Sequence, residues 1–221
     1  MANDSGLPNP DAAANVRAVS PEVVAAAVQI LRSGGLVVFP TDTVYGVGVA
    51  LSRLDAVQKV YALKGRDRSK PLQVLLADPA DAIGVAADLS PLAQMAVNRL
   101  LPGPVTLVVK NGQLVDRQVV AGGETVGIRV PDAAVCRALV AALGEPIAAT
   151  SANRSGEPSP VTAEAAAAAI GGGVDLILDA GACPAGREST VIDLTGAAPR
   201  VLRWGALGKA ELEATLGCAV E

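Results

Sequence analysis

Two short segments, far apart in the chain, hold the residues best suited to chemistry. Lys64-Gly65-Arg66-Asp67-Arg68-Ser69-Lys70-Pro71-Leu72 crowds four cations into a glycine-punctuated turn. Thr150-Ser151-Ala152-Asn153-Arg154-Ser155-Gly156 clusters hydroxyls, an amide and a glycine directly after the apolar Ile147-Ala148-Ala149. Guanidinium forks and ammonium point charges facing small hydrogen-bonding groups are what a polyphosphate requires. The chain has a formal charge of −4, so this basic cluster is local and calls for a local cause rather than a general nucleic-acid coat. The plainer readings are a solvated turn for the first segment and an ordinary Ser/Asn turn for the second. Against the first stand Gly65, which lets the backbone approach a ligand, and Pro71, which stiffens the exit.

Three further positions invite the same question. Thr41-Asp42-Thr43 follows the apolar Leu36 to Phe39, and Ser189-Thr190 precedes Val191-Ile192-Asp193. Both read either as side-chain-capped turns or as ligand groups at strand ends, where ligands collect in open α/β sheets. Arg129 lies inside Gly127-Ile128-Arg129-Val130, and a charge within a buried strand is costly unless it is paired or holds an anion. The chain has no histidine, which removes Ser-His-Asp and Cys-His catalysis and His-ligated zinc. Cys136, Cys183 and Cys218 form no CxxC pair and read as reduced thiols. The common phosphate loops are missing too. Gly208-Lys209 lacks the earlier glycine and the Ser/Thr of GxxxxGK[ST], and Leu51 stands where GxGxxG needs its third glycine after Gly46 and Gly48.

The elements that must position these residues alternate between strand and helix patterns. Ser20-Pro21 opens a helix that stops at Gly34-Gly35, and Ser52 with Asp55 is expected to make a capping box. That second helix runs out at Lys64-Gly65. Asp78-Pro79 and Ser90-Pro91 begin two more, Asp132 is expected to cap a fifth that ends at Gly144, and Thr162 to Ile170 is Ala-rich and helical. Strands are expected at Leu36 to Phe39, Val44 to Ala50, Leu72 to Leu76, Val105 to Val109, Val126 to Val130, Pro146 to Ala149, Leu176 to Leu178, Thr190 to Leu194 and Val201 to Trp204. This is an α/β sheet with helices packed on it. With only four Phe, Tyr and Trp in 221 residues its core must be aliphatic. Residues 1–19 read as a flexible extension and 20–221 as one catalytic domain. No apolar run spans a bilayer and no signal peptide is visible, so a cytoplasmic protein without membrane partners is expected.

In order along the chain, eight strings resemble the YrdC-like family of L-threonylcarbamoyladenylate synthases. They are Phe39-Pro-Thr-Asp-Thr-Val-Tyr-Gly46, Lys64-Gly-Arg66, Lys70-Pro-Leu72, Leu101-Pro-Gly-Pro-Val-Thr106, Gly127-Ile-Arg-Val-Pro131, Thr150-Ser-Ala-Asn153 with Ser155-Gly156, Ser189-Thr-Val191, and Arg203. The resemblance implies a twisted mixed sheet in a single domain. It implies synthesis of L-threonylcarbamoyl-AMP from L-threonine, bicarbonate and ATP, with release of pyrophosphate. The product would pass to a tRNA threonylcarbamoyl-transferase complex for adenosine modification.

By the same resemblance Lys64 and Arg66 are catalytic and bind ATP together with Lys70, Thr125, Ser151, Asn153, Ser159 and Arg203. Thr41, Thr43, Tyr45, Arg129 and Ser189 hold threonine. Mg²⁺ would be held through the phosphates, with no metal site built from protein side chains. Lys64 and Arg66 are expected to be exposed in a cleft, and Gly65 to Lys70 is a candidate lid. Two departures stand out: Asp67 where many relatives have proline, and Leu75 where some have histidine. Two other readings remain open. One is an RNA-binding module with weak tRNA contact; few aromatics and a negative net charge count against it. The other is carbamoyl-adenylate chemistry from carbamoyl phosphate.

Overall fold

The computed structural model describes residues 15–221, and most of the extension expected over 1–19 lies outside them. Within the described part that expectation is corrected, because Val16–Ala18 forms strand β1 and pairs in parallel with Leu176–Asp179, β8. The remaining strands are β2 (Val37–Phe39), β3 (Gly46–Ala50), β4 (Gln73–Leu75), β5 (Val105–Lys110), β6 (Thr125–Arg129), β7 (Ile147–Ser151), β9 (Thr190–Asp193) and β10 (Arg200–Arg203). They join into one mixed ten-stranded sheet in the order β1-β8-β2-β3-β7-β4-β6-β5-β9-β10. The helices are α1 (Pro21–Arg32), α2 (Leu54–Lys64), α3 (Ala82–Val85), α4 (Pro91–Leu100), α5 (Ala134–Leu143), α6 (Ala163–Ile170) and α7 (Lys209–Leu216).

Helix starts follow the sequence in part. Ser20 caps α1 by accepting from the Val23 amide at 3.3 Å, and Ser90 and Thr162 cap α4 and α6 in the same way. The capping box expected of Ser52 and Asp55 does not form. Glu145 takes both the Ser52 amide (2.8 Å) and hydroxyl (2.9 Å), while Asp55 accepts from Arg53, which occupies the cap position. Asp132 does not cap α5 either, since that helix starts one residue later, after Ala133. Helix α7 has no counterpart among the expected elements.

Side chains alternate across the sheet, so successive residues enter different cores. Val37, Phe39, Leu75, Ile147, Ala149, Leu176 and Leu178 pack with α1 and α5. Their neighbours Val38, Val74, Leu76, Ala148 and Ile177 join the larger cluster with α2, α4, α6 and α7. Both faces are therefore covered by helices, as strands this apolar demand. The α1/α5 face changes character as it crosses from β7 to β4, β6, β5 and β9. There Val126, Ile128, Leu107, Val109 and Ile192 keep the far face apolar. The near face instead presents Gln73, Thr106, Val108, Thr125, Gly127, Arg129 and Val191, and these residues floor a cavity.

Candidate active site

The cavity has a volume of about 330 Å³, the size of a small-ligand site. Its walls come from Thr41 and residues 43–46, from Arg66, Pro71 and Leu72, from Ala149 to Ser151 and from Glu188, Ser189, Leu202 and Arg203. Strand ends and the turns that follow them supply nearly all of it, as in other open α/β sheets.

At one end, the two segments singled out by their chemistry meet. Helix α2 stops because Gly65 adopts the left-handed conformation at φ 58°, so Lys64 is its last residue. Lys64 is 3% exposed, which corrects the expectation that it lies open in a cleft. Its Nζ donates to the carbonyls of Ser151 and Asn153 and, at 3.4 Å, to Asn153 Oδ1. In return the Ser155 amide donates to the Lys64 carbonyl at 2.9 Å. Asn153 Nδ2 closes the loop by donating to the carbonyls of Arg154 (2.9 Å) and Glu157 (2.7 Å). Burial, and then the Arg66 guanidinium nearby, bring the Lys64 ammonium down to about 8.

Arg66 lines the cavity. It is held by the carbonyls of Lys70 (3.2 Å) and Pro71 (2.9 Å), and burial lowers its pKa. Asp67 turns back on its own segment, accepting from the Ser69 amide at 2.9 Å, and is exposed. Lys70 is also exposed. Lys64, Lys70, Asn153 and Ser159 are not among the lining residues, whereas Arg66 and Ser151 are.

At the other end stands Arg129, almost wholly buried. Its Nε donates to the Gly103 carbonyl at 3.2 Å, Nη1 to Thr43 Oγ1 at 2.9 Å and Nη2 to Asp42 Oδ1 at 2.5 Å. The charge inside the strand is thus paired. A guanidinium carries five N–H groups, so two remain for a ligand. Thr41 braces the turn: its Oγ1 donates to the Val44 carbonyl (2.6 Å) and accepts from the amides of Thr43 (3.1 Å) and Val44 (3.2 Å). The turn is therefore side-chain-capped and cavity-lining at once. Asp42 Oδ2 is buried without a partner among the described residues. Burial raises the Asp42 carboxyl in spite of the guanidinium beside it. Tyr45 borders the cavity, yet its hydroxyl donates to the Gly181 carbonyl at 2.7 Å and burial pushes it up to about 12. That hydroxyl is already committed within the fold. Leu75 is buried and lines the floor beside Arg129 in register.

A polar chain crosses the floor between these ends. Thr106 Oγ1 shares a hydrogen with Ser189 Oγ at 2.9 Å and lies 3.0 Å from Gln73 Oε1. Arg203 Nη2 donates to the Ser189 carbonyl at 2.9 Å, and Arg203 Nη1 forms an ion pair with Glu188. Ser159 Oγ donates to Glu188 Oε1 at 2.6 Å. Thr125 sits exposed at the rim of the floor. Sequence reasoning named Ser189, Arg203, Ser159 and Thr125 but missed Gln73, Thr106 and Glu188. The period-2 switch from apolar to polar on one face of β4 and β5 was the signal that could have found the first two.

Gly205 packs directly on this segment. A Cβ there would fall inside contact distance of the Glu188 and Ser189 backbone, which cannot retreat as a flexible side chain would. Gly205→Ala is expected to cost about 1–3 kcal/mol by overpacking, read by denaturant unfolding, and to displace Ser189 from the floor.

Among the described residues no helix is long and apolar enough to cross a membrane, and no group of three His, Cys, Asp or Glu converges. The model of the Sua5/YciO/YrdC family, described as telomere recombination, matches residues 29–205. A Pyrococcus abyssi relative named threonylcarbamoyl-AMP synthase is 39% identical over 191 residues, covering 86% of this chain and 56% of the relative. The chain thus spans little more than half the length of that relative. A Mycobacterium tuberculosis (strain ATCC 25618 / H37Rv) relative is 37% identical, with 88% of this chain and 89% of the relative covered. The crystal structure of P. abyssi Sua5 complexed with L-threonine is similar with a TM-score of 0.88 at 36% identity, covering 94% of this chain and 61% of that one.

Proposed function

The chain belongs to the Sua5/YciO/YrdC family, and from that premise we propose that it makes L-threonylcarbamoyl-AMP from L-threonine, bicarbonate and ATP, releasing pyrophosphate. One observation carries the reading. A cavity with a cationic, hydroxyl-bearing end lined by Arg66 and Ser151, with buried Lys64 bonded to the Ser151 carbonyl, shares its floor with a buried guanidinium, Arg129, that has N–H groups to spare. Two anionic groups can be held at opposite ends of one small space.

In this reading Arg129, with Thr43 beside it, takes the threonine carboxylate, and Ser189 and Thr41 border the rest of the amino acid. Tyr45 contributes through its place in the wall rather than its hydroxyl. The threonine amine and bicarbonate give a carbamate and water. A carbamate oxygen attacks the α-phosphorus of ATP, and the bond to the β-phosphate oxygen breaks to release pyrophosphate. Negative charge grows on the departing oxygens, where Arg66, Lys64 and Lys70 supply positive charge. Ser151 and Asn153 orient the phosphates, while Thr125, Ser159 and Arg203 face the nucleoside side. Fixing carbamate and α-phosphate in line removes most of the entropic cost of their meeting. No covalent enzyme nucleophile is required, in keeping with a chain without histidine.

Mg²⁺ would enter with ATP as part of the substrate, since the lining residues include a single carboxylate, Glu188. The product suits transfer to tRNA adenosine by a downstream complex in the cytoplasm, with at most weak tRNA contact here. Residues 20–221 would act as one catalytic domain, with Gly65 to Lys70 as its lid.

The test is pyrophosphate release from ATP and bicarbonate with and without L-threonine, with serine and glycine as controls. Threonine-dependent release is expected. Release that ignores threonine, or none at all, would overturn the reading.

A further inference from the structure

The residues lining the cavity include one carboxylate, and it stands at the end where phosphates are to be bound. Glu188 lies close enough to Lys64 and Arg66 to favour their charged forms. An acidic group facing a polyphosphate weakens binding unless it does something that offsets the repulsion. Its contacts show what that is. Glu188 immediately precedes β9, and its two oxygens reach in different directions. Oε1 accepts from Ser159 in the loop after β7, and Oε2 pairs with Arg203 on the outermost strand β10. The loop that carries Ser159 is thereby tied through one carboxylate to the paired ends of β9 and β10. Arg203 is further fixed by donating to the Ser189 carbonyl, so its guanidinium is held at two points.

We propose that Glu188 is a positioning residue of the nucleotide end, presetting Ser159 and Arg203 for ATP before ATP arrives. This rests on the nucleotide reading of the site. Long arginine side chains lose rotamer freedom on binding, and a carboxylate that has already ordered Arg203 removes that cost from the binding step. The role is one of geometry more than charge, so a neutral side chain of the same shape should fill it in part.

The experiment is calorimetric titration of ATP into the wild-type chain, Glu188→Ala and Glu188→Gln, together with steady-state kinetics for each. Glu188→Ala is expected to weaken ATP binding and raise the KM for ATP about tenfold, with kcat within threefold and the KM for threonine unchanged. Glu188→Gln keeps an acceptor for Arg203 and is expected to recover most of the loss. Melting temperatures should stay close to wild type, because the pair is half-exposed and such pairs add little stability. Unchanged or tighter ATP binding by Glu188→Ala would overturn the proposal alone. So would a fall in kcat with the KM for ATP unchanged. Absence of ATP binding by the wild-type chain would overturn the nucleotide reading and this inference together.

Discussion

Replacing Lys64 by alanine is expected to slow turnover by about 10²–10³-fold, the scale of losing one preorganised charge at a transition state, and also to destabilise the fold. The second effect follows from where the side chain is. Three oxygens converge on Nζ, two of them backbone carbonyls that lose their charged donor once the ammonium is gone. Leaving buried acceptors unmet costs about 1–3 kcal/mol. It also loosens the tie between the end of α2 and the loop that carries Ser151 and Asn153. Lys64→Met fills the volume better and should recover some stability but no turnover. Thermal unfolding and pyrophosphate release, measured on both variants, separate the two effects. Near-normal turnover by either would remove Lys64 from the mechanism.

The same burial makes Lys64 sensitive to pH in the opposite sense for function and for stability. Burial brings its pKa down to about 8 from an ordinary lysine value. Phosphates beside the ammonium favour its charged form, so ATP affinity is expected to fall as pH rises through about 8, and to fall less in Lys64→Met. For folding, the unfolded chain binds the proton more tightly than the folded one. Between about 8 and the ordinary lysine value the unfolded state carries more protons, so the Lys64 contribution to stability increases with pH across that window. ATP binding measured from pH 7 to 9.5 gives the functional half. Affinity independent of pH would show that Lys64 does not face the phosphates.

Much of the fold can be read locally. Val37 to Phe39, Ile147 to Ala149 and Leu176 to Leu178 are short apolar runs bounded by turn residues, and each is a strand. Gly65 and Gly144 mark helix ends because both take left-handed backbone there. What failed was decided by partners distant in sequence. Ser52 had every local reason to cap α2, but Glu145 claimed both of its hydrogen-bonding groups. Strand β1 is three residues long and exists because β8 offers it an edge. Helix α7 buries only Leu212 and Leu216, too thin a stripe for its period to show.

The site divides in the same way. That Lys64, Arg66, Ser151 and Asn153 share a neighbourhood was legible from residue type and from resemblance. That Lys64 is buried was not, because its acceptors lie on a loop some ninety residues further along. Arg129 announced a need for a partner, but nothing in the sequence chose Asp42.

Removing Arg129 is the second change expected to act strongly, and it tests what the buried pair is for. Arg129→Met leaves Asp42 as a buried carboxylate with no counter-charge, and such half-broken pairs lose about 3–5 kcal/mol. Asp42→Asn combined with Arg129→Met removes both charges and should be appreciably more stable than Arg129→Met alone, because neither partner is then stranded. On the proposed reading both variants should lose threonine binding, since Arg129 is the donor proposed for its carboxylate. Denaturant unfolding and threonine titration give the two readings. If the double variant is as unstable as the single one, the pair stabilises the fold in its own right. If it regains stability yet binds no threonine, the pair is kept for recognition. The physical case favours recognition: three of five N–H groups hold Arg129 in place, one carboxylate oxygen beside it stays unsatisfied, and the remaining donors border an open cavity. A pair built only for stability would satisfy every group and leave none facing an open cavity.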